Sequence, residues 1–139
     1  MRLDLRTNLW VIIAAANGFL AVLAGAMGTH TFASHLDLHA TELYSQAADY
    51  QMSHALALFF TGLLLNNAAD KNKDLVHLAG FGFTIGIILF SGSLYWLALN
   101  GSGSLGSFHF LTPIGGVALL LAWFLLIIAN FKTIIGRKS

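Results

Sequence analysis

The sequence predicts an all-α integral membrane protein, a bundle of four transmembrane helices with a short amphipathic helix in the first outer loop. Of its 139 residues 57% are hydrophobic and only 9% are charged, whereas a soluble domain carries charge at about a quarter of its positions. Four apolar stretches, residues 9–28, 50–66, 75–99 and 111–131, make up most of the chain. The cations fall at their ends: Arg2 and Arg6, then Lys71 and Lys73, then Lys132, Arg137 and Lys138. Because four spans make aqueous segments alternate sides, all these cations share one face. The positive-inside rule then puts both termini in the cytoplasm, with a bacterial plasma membrane as the expected location.

A helix rising about 1.5 Å per residue needs about 20 residues to cross about 30 Å of hydrocarbon, and three of the stretches reach that length. The first begins after Thr7-Asn8, a polar flank with capping character, and Trp10 stands where an interfacial anchor belongs. Ala14, Gly18, Ala21, Gly25 and Gly28 recur at three- and four-residue spacing. They leave one face nearly flat, so that another backbone can approach closely. Arg2, Arg6 and the apolar run to Ala24-Gly25-Ala26 also have the layout of a signal peptide; the span is read here as retained.

The first outer loop, residues 29–49, has a pattern of its own. Phe32, Leu36, Leu43, Tyr44 and Ala47 or Ala48 form an apolar stripe opposite Asp37, Glu42, Ser45, Gln46 and Asp49. That predicts an interfacial helix leading into the second span. Residues 66–74 suit a tight antiparallel connection. The third span mixes Gly80, Gly82, Gly86 and Gly92 with Phe81, Phe83 and Phe90, a composition suited to close helix packing. Residues 100–110 read as a flexible Gly-Ser loop. The fourth span opens with Thr112-Pro113, where proline sacrifices no helical hydrogen bond, and Gly115-Gly116 follow.

Four clusters of unusual residues remain. They are Gly25-Ala26-Met27-Gly28-Thr29-His30, Asp49-Tyr50-Gln51-Met52-Ser53-His54, Phe90-Ser91-Gly92-Ser93-Leu94-Tyr95 and Thr112-Pro113-Ile114-Gly115-Gly116. Alternating span direction brings all four toward the outer leaflet. Their order, Gly-Ala-x-Gly-x-His, Tyr-Gln-x-x-His, Phe-Ser-Gly-Ser-Leu-Tyr and Thr-Pro-x-Gly-Gly, resembles the domain of unknown function 423 family of transmembrane protein 256-like proteins. The resemblance covers essentially the whole chain. Thr29 and Thr31 depart from its pattern, where alanine and glycine are common. The resemblance implies a small four-helix membrane protein and carries no activity with it.

The side chains must therefore supply the chemistry. His54, with Tyr50 at i−4 and Gln51 at i−3, is expected on one helix face. A buried imidazole or phenol needs a partner. One reading is a polar clasp, His54 or Tyr50 bonded to Ser91, Ser93 or Thr112 and locking the helices together. A second is ligand binding, with the His-Tyr-Gln-Ser set holding a quinone carbonyl or a lipid headgroup. A third uses the outer-side histidines, His30, His35, His39, His54 and His109, for haem or metal, although they form no definite metal signature.

Several classes are excluded or disfavoured. The cations form no one-faced basic patch for nucleic acid. The chain has no cysteine, which removes disulfide and thiolate chemistry. Residues 75–131 contain no Asp, Glu, Lys or Arg, which argues against a transport path through this chain alone. Ser53 and His54 are adjacent and so do not face each other as nucleophile and base, and no catalytic residues are assigned.

The expectation is a non-enzymatic membrane protein with an outer-leaflet polar pocket that stabilises the bundle or binds a lipid or quinone-like amphiphile. Pocket candidates are His30, Asp49, Tyr50, Gln51, His54, Ser91, Ser93, Tyr95 and Thr112. Packing candidates are Gly18, Gly25, Gly28, Gly86, Gly92, Gly115 and Gly116. The alternative is a redox or proton-linked accessory protein using His30, His54 and Tyr95. Partners are the bilayer and, through the remaining helix faces, further copies or a larger membrane complex.

Overall fold

The computed structural model describes residues 5–32, 34–68 and 70–136, all in helices, turns and short loops. Four long helices follow one another: α1 (Leu5–His30), α2 (Leu38–Asn67), α3 (Asp70–Asn100) and α4 (Leu111–Gly136). A 3₁₀ turn at Gly106–Phe108 precedes α4. In the loop after α3, Gly101 and Gly103 have φ of +91° and +89°, backbone angles that only glycine adopts without strain. The loop is thus shaped by its glycines.

Three stretches are long and apolar enough to cross a membrane: Leu5–His30, Asn72–Asn100 and Gly106–Phe131. The helix that differs is α2. Between residues 42 and 54 it carries Glu42, Ser45, Gln46, Asp49, Gln51, Ser53 and His54, which dilute its hydropathy although its length is ample.

The separate amphipathic helix expected in the first outer loop is not there. Residues from Leu38 onward belong to α2 itself. Asp37 caps the helix, its Oδ1 accepting from the Ala40 amide at 2.7 Å, and from Leu38 to Thr61 no glycine or proline interrupts the chain. The apolar stripe is therefore the first turns of one continuous helix. Within it, Tyr44 is buried against Phe32 and Tyr95.

Helix α1 packs on α2, α2 on α3 and α3 on α4, while α1 meets α3 only lightly. Among the described residues α4 makes no substantial contact with α1, so the helices form an open row in place of a closed four-helix ring. The shared core is Trp10, Leu58, Phe83, Ile87, Leu119 and Ala122 with their neighbours.

Trp10 is not an interfacial anchor. It is 1% exposed, and its Nε1–H donates to Nδ1 of His77 at 2.9 Å. A methyl at Gly80 would lie 2.5 Å from its ring, and one at Gly62 would lie 3.2 Å from its Cβ. Two glycines therefore make its slot; the sequence reading named Gly80 only among the packing glycines of the third span and missed Gly62.

Other close approaches fall at Gly28, where an added methyl would sit 2.9 Å from the Tyr44 ring, and at Gly86 and Gly115, where it would strike Leu119 and the backbone of Phe90. Gly116 has ordinary contact room against the Phe90 ring. The close approach expected at Gly18, Gly25 and Gly92 is not made within this chain, since a methyl at each would meet nothing within 4 Å. On α1 the small residues that pack are Ala14 and Ala21, both buried, and Gly28 against Tyr44, which leaves Gly18 and Gly25 at the edge of the contact; on α3 Gly92 is exposed.

One end of the row gathers the start of α1, the α2–α3 connection and the last turns of α4. Arg6 lies 3.7 Å from Asp74, and Asn72 Nδ2 donates to the Ala129 carbonyl at 3.0 Å. Arg2, Arg137 and Lys138, expected here as well, lie outside the described residues, as do the side chains of Lys71 and Lys132.

Candidate functional site

The depth of each polar group follows from which residues face one another. Gly28 of α1 meets Tyr44 of α2, and Trp10 meets Gly62. The apolar length of α1 is therefore matched by α2 from Tyr44 to Gly62. His54 lies about 15 Å below Tyr44 and about 12 Å above Gly62 by helical rise. It is near the middle of that matched length, whereas the sequence reading put its cluster toward the outer leaflet. His30 ends α1 and is exposed. A His30–His54 pair that could hold haem or a metal is not formed, because the register separates the two along the helix axes. Among the described residues no three His, Asp or Glu side chains converge as a metal site.

The four sequence clusters do not share one pocket. They resolve into a relay, a hydroxyl pair, an aromatic groove and a separate cavity.

The relay crosses three helices. The Tyr95 hydroxyl of α3 donates to Gln51 Oε1 of α2 at 2.9 Å. Gln51 Nε2 donates to Asn17 Oδ1 of α1 at 3.4 Å, and Asn17 Nδ2 donates to its own helix at the Ile13 carbonyl, 2.9 Å away. Gln51 is buried. It does not share a face with Tyr50, since residues one apart on a helix diverge by about 100°. Asn17 was missed as a partner. The readable signal was its isolation: between Trp10 and Gly28 it is the only strongly polar side chain in α1, and such a group needs a partner at membrane depth.

The hydroxyl pair joins α3 to α4. Ser93 Oγ donates to the Phe90 carbonyl at 2.9 Å and lies 2.6 Å from Thr112 Oγ1. With the serine proton committed, Thr112 is the donor between the two. The clasp of the sequence reading, His54 or Tyr50 bonded to one of these hydroxyls, is not formed among the described residues; two of the expected hydroxyls pair with each other instead. Ser91 Oγ is buried with no hydrogen-bond partner among the described residues. The bond expected from it to His54 is not formed.

The aromatic groove holds His54. Its Nδ1 lies 2.8 Å from the Tyr50 carbonyl one turn earlier. A carbonyl only accepts, so Nδ1 carries the proton and a neutral ring leaves Nε2 as an acceptor. Tyr50 stacks on the imidazole with ring centroids 5.5 Å apart, and Phe90 and Trp123 complete the aromatic walls. The groove has a volume of about 440 Å³ and reaches Gly116 and Leu120 of α4. Such a site can hold a planar ring and accept one hydrogen bond from it.

Asp49 lies elsewhere, in a cavity of about 450 Å³ between the end of α1 and the start of α2, with Thr29, Tyr44 and Ser45.

The family model described as "Protein of unknown function (DUF423)" matches residues 24–116. The chain belongs to that family. A UPF0382 membrane protein of Staphylococcus aureus is 40% identical over 125 residues, 90% of this chain and 97% of the relative. One from Staphylococcus epidermidis is 37% identical over 125 residues, with the same coverage of each chain. The UPF0382 membrane protein YwdK of Bacillus subtilis is 36% identical over 127 residues, 90% of this chain and 98% of the relative. No solved structure matches the chain at a significant level. These relatives are bacterial and named as membrane proteins, and the three long apolar helices of this member fit the same location.

Proposed function

We propose that this member of the family is a non-enzymatic four-helix protein of the bacterial plasma membrane whose groove between α2, α3 and α4 holds the ring of an amphiphile of the quinol class. All four helices span, with α2 crossing from about Tyr44 to Gly62, and both termini lie on the cytoplasmic side. The observation that carries the reading is the 2.8 Å approach of His54 Nδ1 to the Tyr50 carbonyl, which assigns the ring proton to Nδ1. An imidazole held by its own helix, with Nε2 free of that bond and aromatic walls on either side, suits a ring hydroxyl that donates. The groove's volume falls in the range usual for small-molecule sites, and its residues reach it from the lipid-facing side of α4, the route an amphiphile would take. The Tyr95–Gln51–Asn17 relay and the Ser93–Thr112 pair support the fold and need no ligand.

The reading is tested by mass spectrometry of an organic extract of the purified protein, repeated for His54→Ala. Retained quinone or quinol in the wild type and its loss in the variant are expected. Retention of phospholipid alone by both would overturn the quinol assignment.

A further inference from the structure

The Asp49 cavity carries an inference that goes beyond the quinol groove and stands on a different set of residues. By the facing pairs, Asp49 lies about 7.5 Å below Tyr44, inside the length of α2 that runs beside the apolar part of α1. It is solvent-exposed in the isolated chain, so a bilayer would cover it. A carboxylate on a surface covered by lipid is costly unless a positive charge or a proton meets it. This chain cannot supply a strong cation. Between Arg6 and Lys71 there is no Lys or Arg, and between Asp74 and Lys132 there is none either. Among the described residues Asp49 has no ion-pair partner. A second copy of the chain would bring the same deficit and a second carboxylate.

The remaining lining defines what fits. The Thr29 hydroxyl is committed as a donor to its own helix at the Gly25 and Ala26 carbonyls, and the Thr41 hydroxyl to the Asp37 carbonyl. Both then offer lone pairs. With the Asp49 carboxylate the cavity is rich in acceptors, and Tyr44 adds an aromatic wall, a surface that attracts a cation. An ammonium brings three donors and no acceptor. We propose that this cavity binds the ammonium group of an amphiphile, with Asp49 as its counter-ion and the apolar chain lying along α1 and α2 in the bilayer. The ammonium belongs either to a free lipophilic amine or to an ethanolamine headgroup.

The test uses the full chain in phosphatidylcholine nanodiscs and radiolabelled dodecylamine at neutral pH, measured by equilibrium dialysis with empty nanodiscs subtracted. Saturable binding is expected, weakened at least tenfold by Asp49→Asn and less than twofold by Glu42→Gln, which removes a nearby charge outside the cavity. Gly25→Leu is the second arm. A Cβ there meets nothing within 4 Å, and Gly25 lines the cavity, so the leucine should block binding while circular dichroism and elution stay those of the wild type. It decides the matter should Asp49→Asn fail to fold. Competition when a third of the lipid is replaced by phosphatidylethanolamine identifies the headgroup as occupant; no competition identifies the free amine. No saturable binding to the wild type, or equal binding by wild type, Asp49→Asn and Gly25→Leu, overturns the proposal.

Discussion

Trp10 and His77 join α1 to α3 through a single hydrogen bond, indole Nε1–H to imidazole Nδ1 at 2.9 Å, with the two rings 5.2 Å apart. The acceptor role fixes the His77 tautomer, since a proton on Nδ1 would leave two donors facing each other. Phe81 closes the third side with an edge contact to the indole at 4.9 Å. Because α1 and α3 touch little elsewhere, this pair is their main direct connection, while the relay links them only through Gln51 of α2. Trp10→Phe keeps most of the packing and removes the donor. A cost of about 1–3 kcal/mol is expected, set by the unmet acceptor. Denaturant titration in mixed micelles, followed by helix circular dichroism, checks it; an unchanged midpoint would show the bond to be dispensable.

Glycine substitutions separate packed from open positions. At Gly115 an added methyl meets the backbone of Phe90, which cannot rotate away. Gly115→Ala should therefore push α4 from α3 and cost about 1–3 kcal/mol, the usual range for overpacking. At Gly92 a methyl meets nothing within 4 Å, and Gly92→Ala should be neutral or stabilising by up to about 1 kcal/mol, as for a glycine replaced inside a helix. The comparison is read from the two melting curves. Equal destabilisation would contradict the observed α3–α4 contact.

The relay predicts coupling between residues on different helices. Gln51→Leu leaves the Tyr95 hydroxyl and the Asn17 amide without their partner, and a loss of about 1–3 kcal/mol is expected for stranded buried groups. Tyr95→Phe removes one donor and should cost less, about 0.5–1.5 kcal/mol. If the bond is made, the double variant costs less than the sum. A double-mutant cycle on unfolding free energies measures the difference, and strict additivity would mean that the two side chains do not interact.

Much of the architecture was legible because it rests on length, hydropathy and local turn chemistry. Spans one, three and four, the proline at the start of α4 and the turn near residue 68 all follow from local chemistry. What was not legible depends on facing pairs. The sequence reading set a separate interfacial helix between Thr29 and Asp49 because its polar residues lower the hydropathy, yet from Leu38 onward nothing stops a helix that runs on into the second span. Extending α2 outward moved His54 from near a helix end to the middle of α2 and separated it from His30. The single outer pocket divided for the same reason. Residues such as Tyr50 and Gln51, adjacent in sequence, diverge on the helix, and only the packed neighbours decide which looks toward Asn17 and which toward Trp123. Trp10 misled through its type. Indoles near a span end often anchor in the interface, but Gly62 and Gly80 create a slot that only the folded chain reveals.

Sidedness is the reading on which both proposed ligands depend for access, and the absence of cysteine from the chain makes it directly measurable. A single cysteine placed in the Gly-Ser loop, Ser102→Cys, is exposed and lies at the end of the row opposite Arg6 and Asp74. A second, Asn67→Cys, is also exposed and stands at the cation-bearing end. Asn72 would be a poor choice there, since it is buried and bonded to Ala129. With cations held inside, a membrane-impermeant maleimide should label Ser102→Cys in intact cells and Asn67→Cys only after permeabilisation. The reverse pattern would put the termini outside. Labelling of both sites from one side would mean that α3 does not cross, and the facing-pair depths of Asp49 and His54 would no longer be membrane depths.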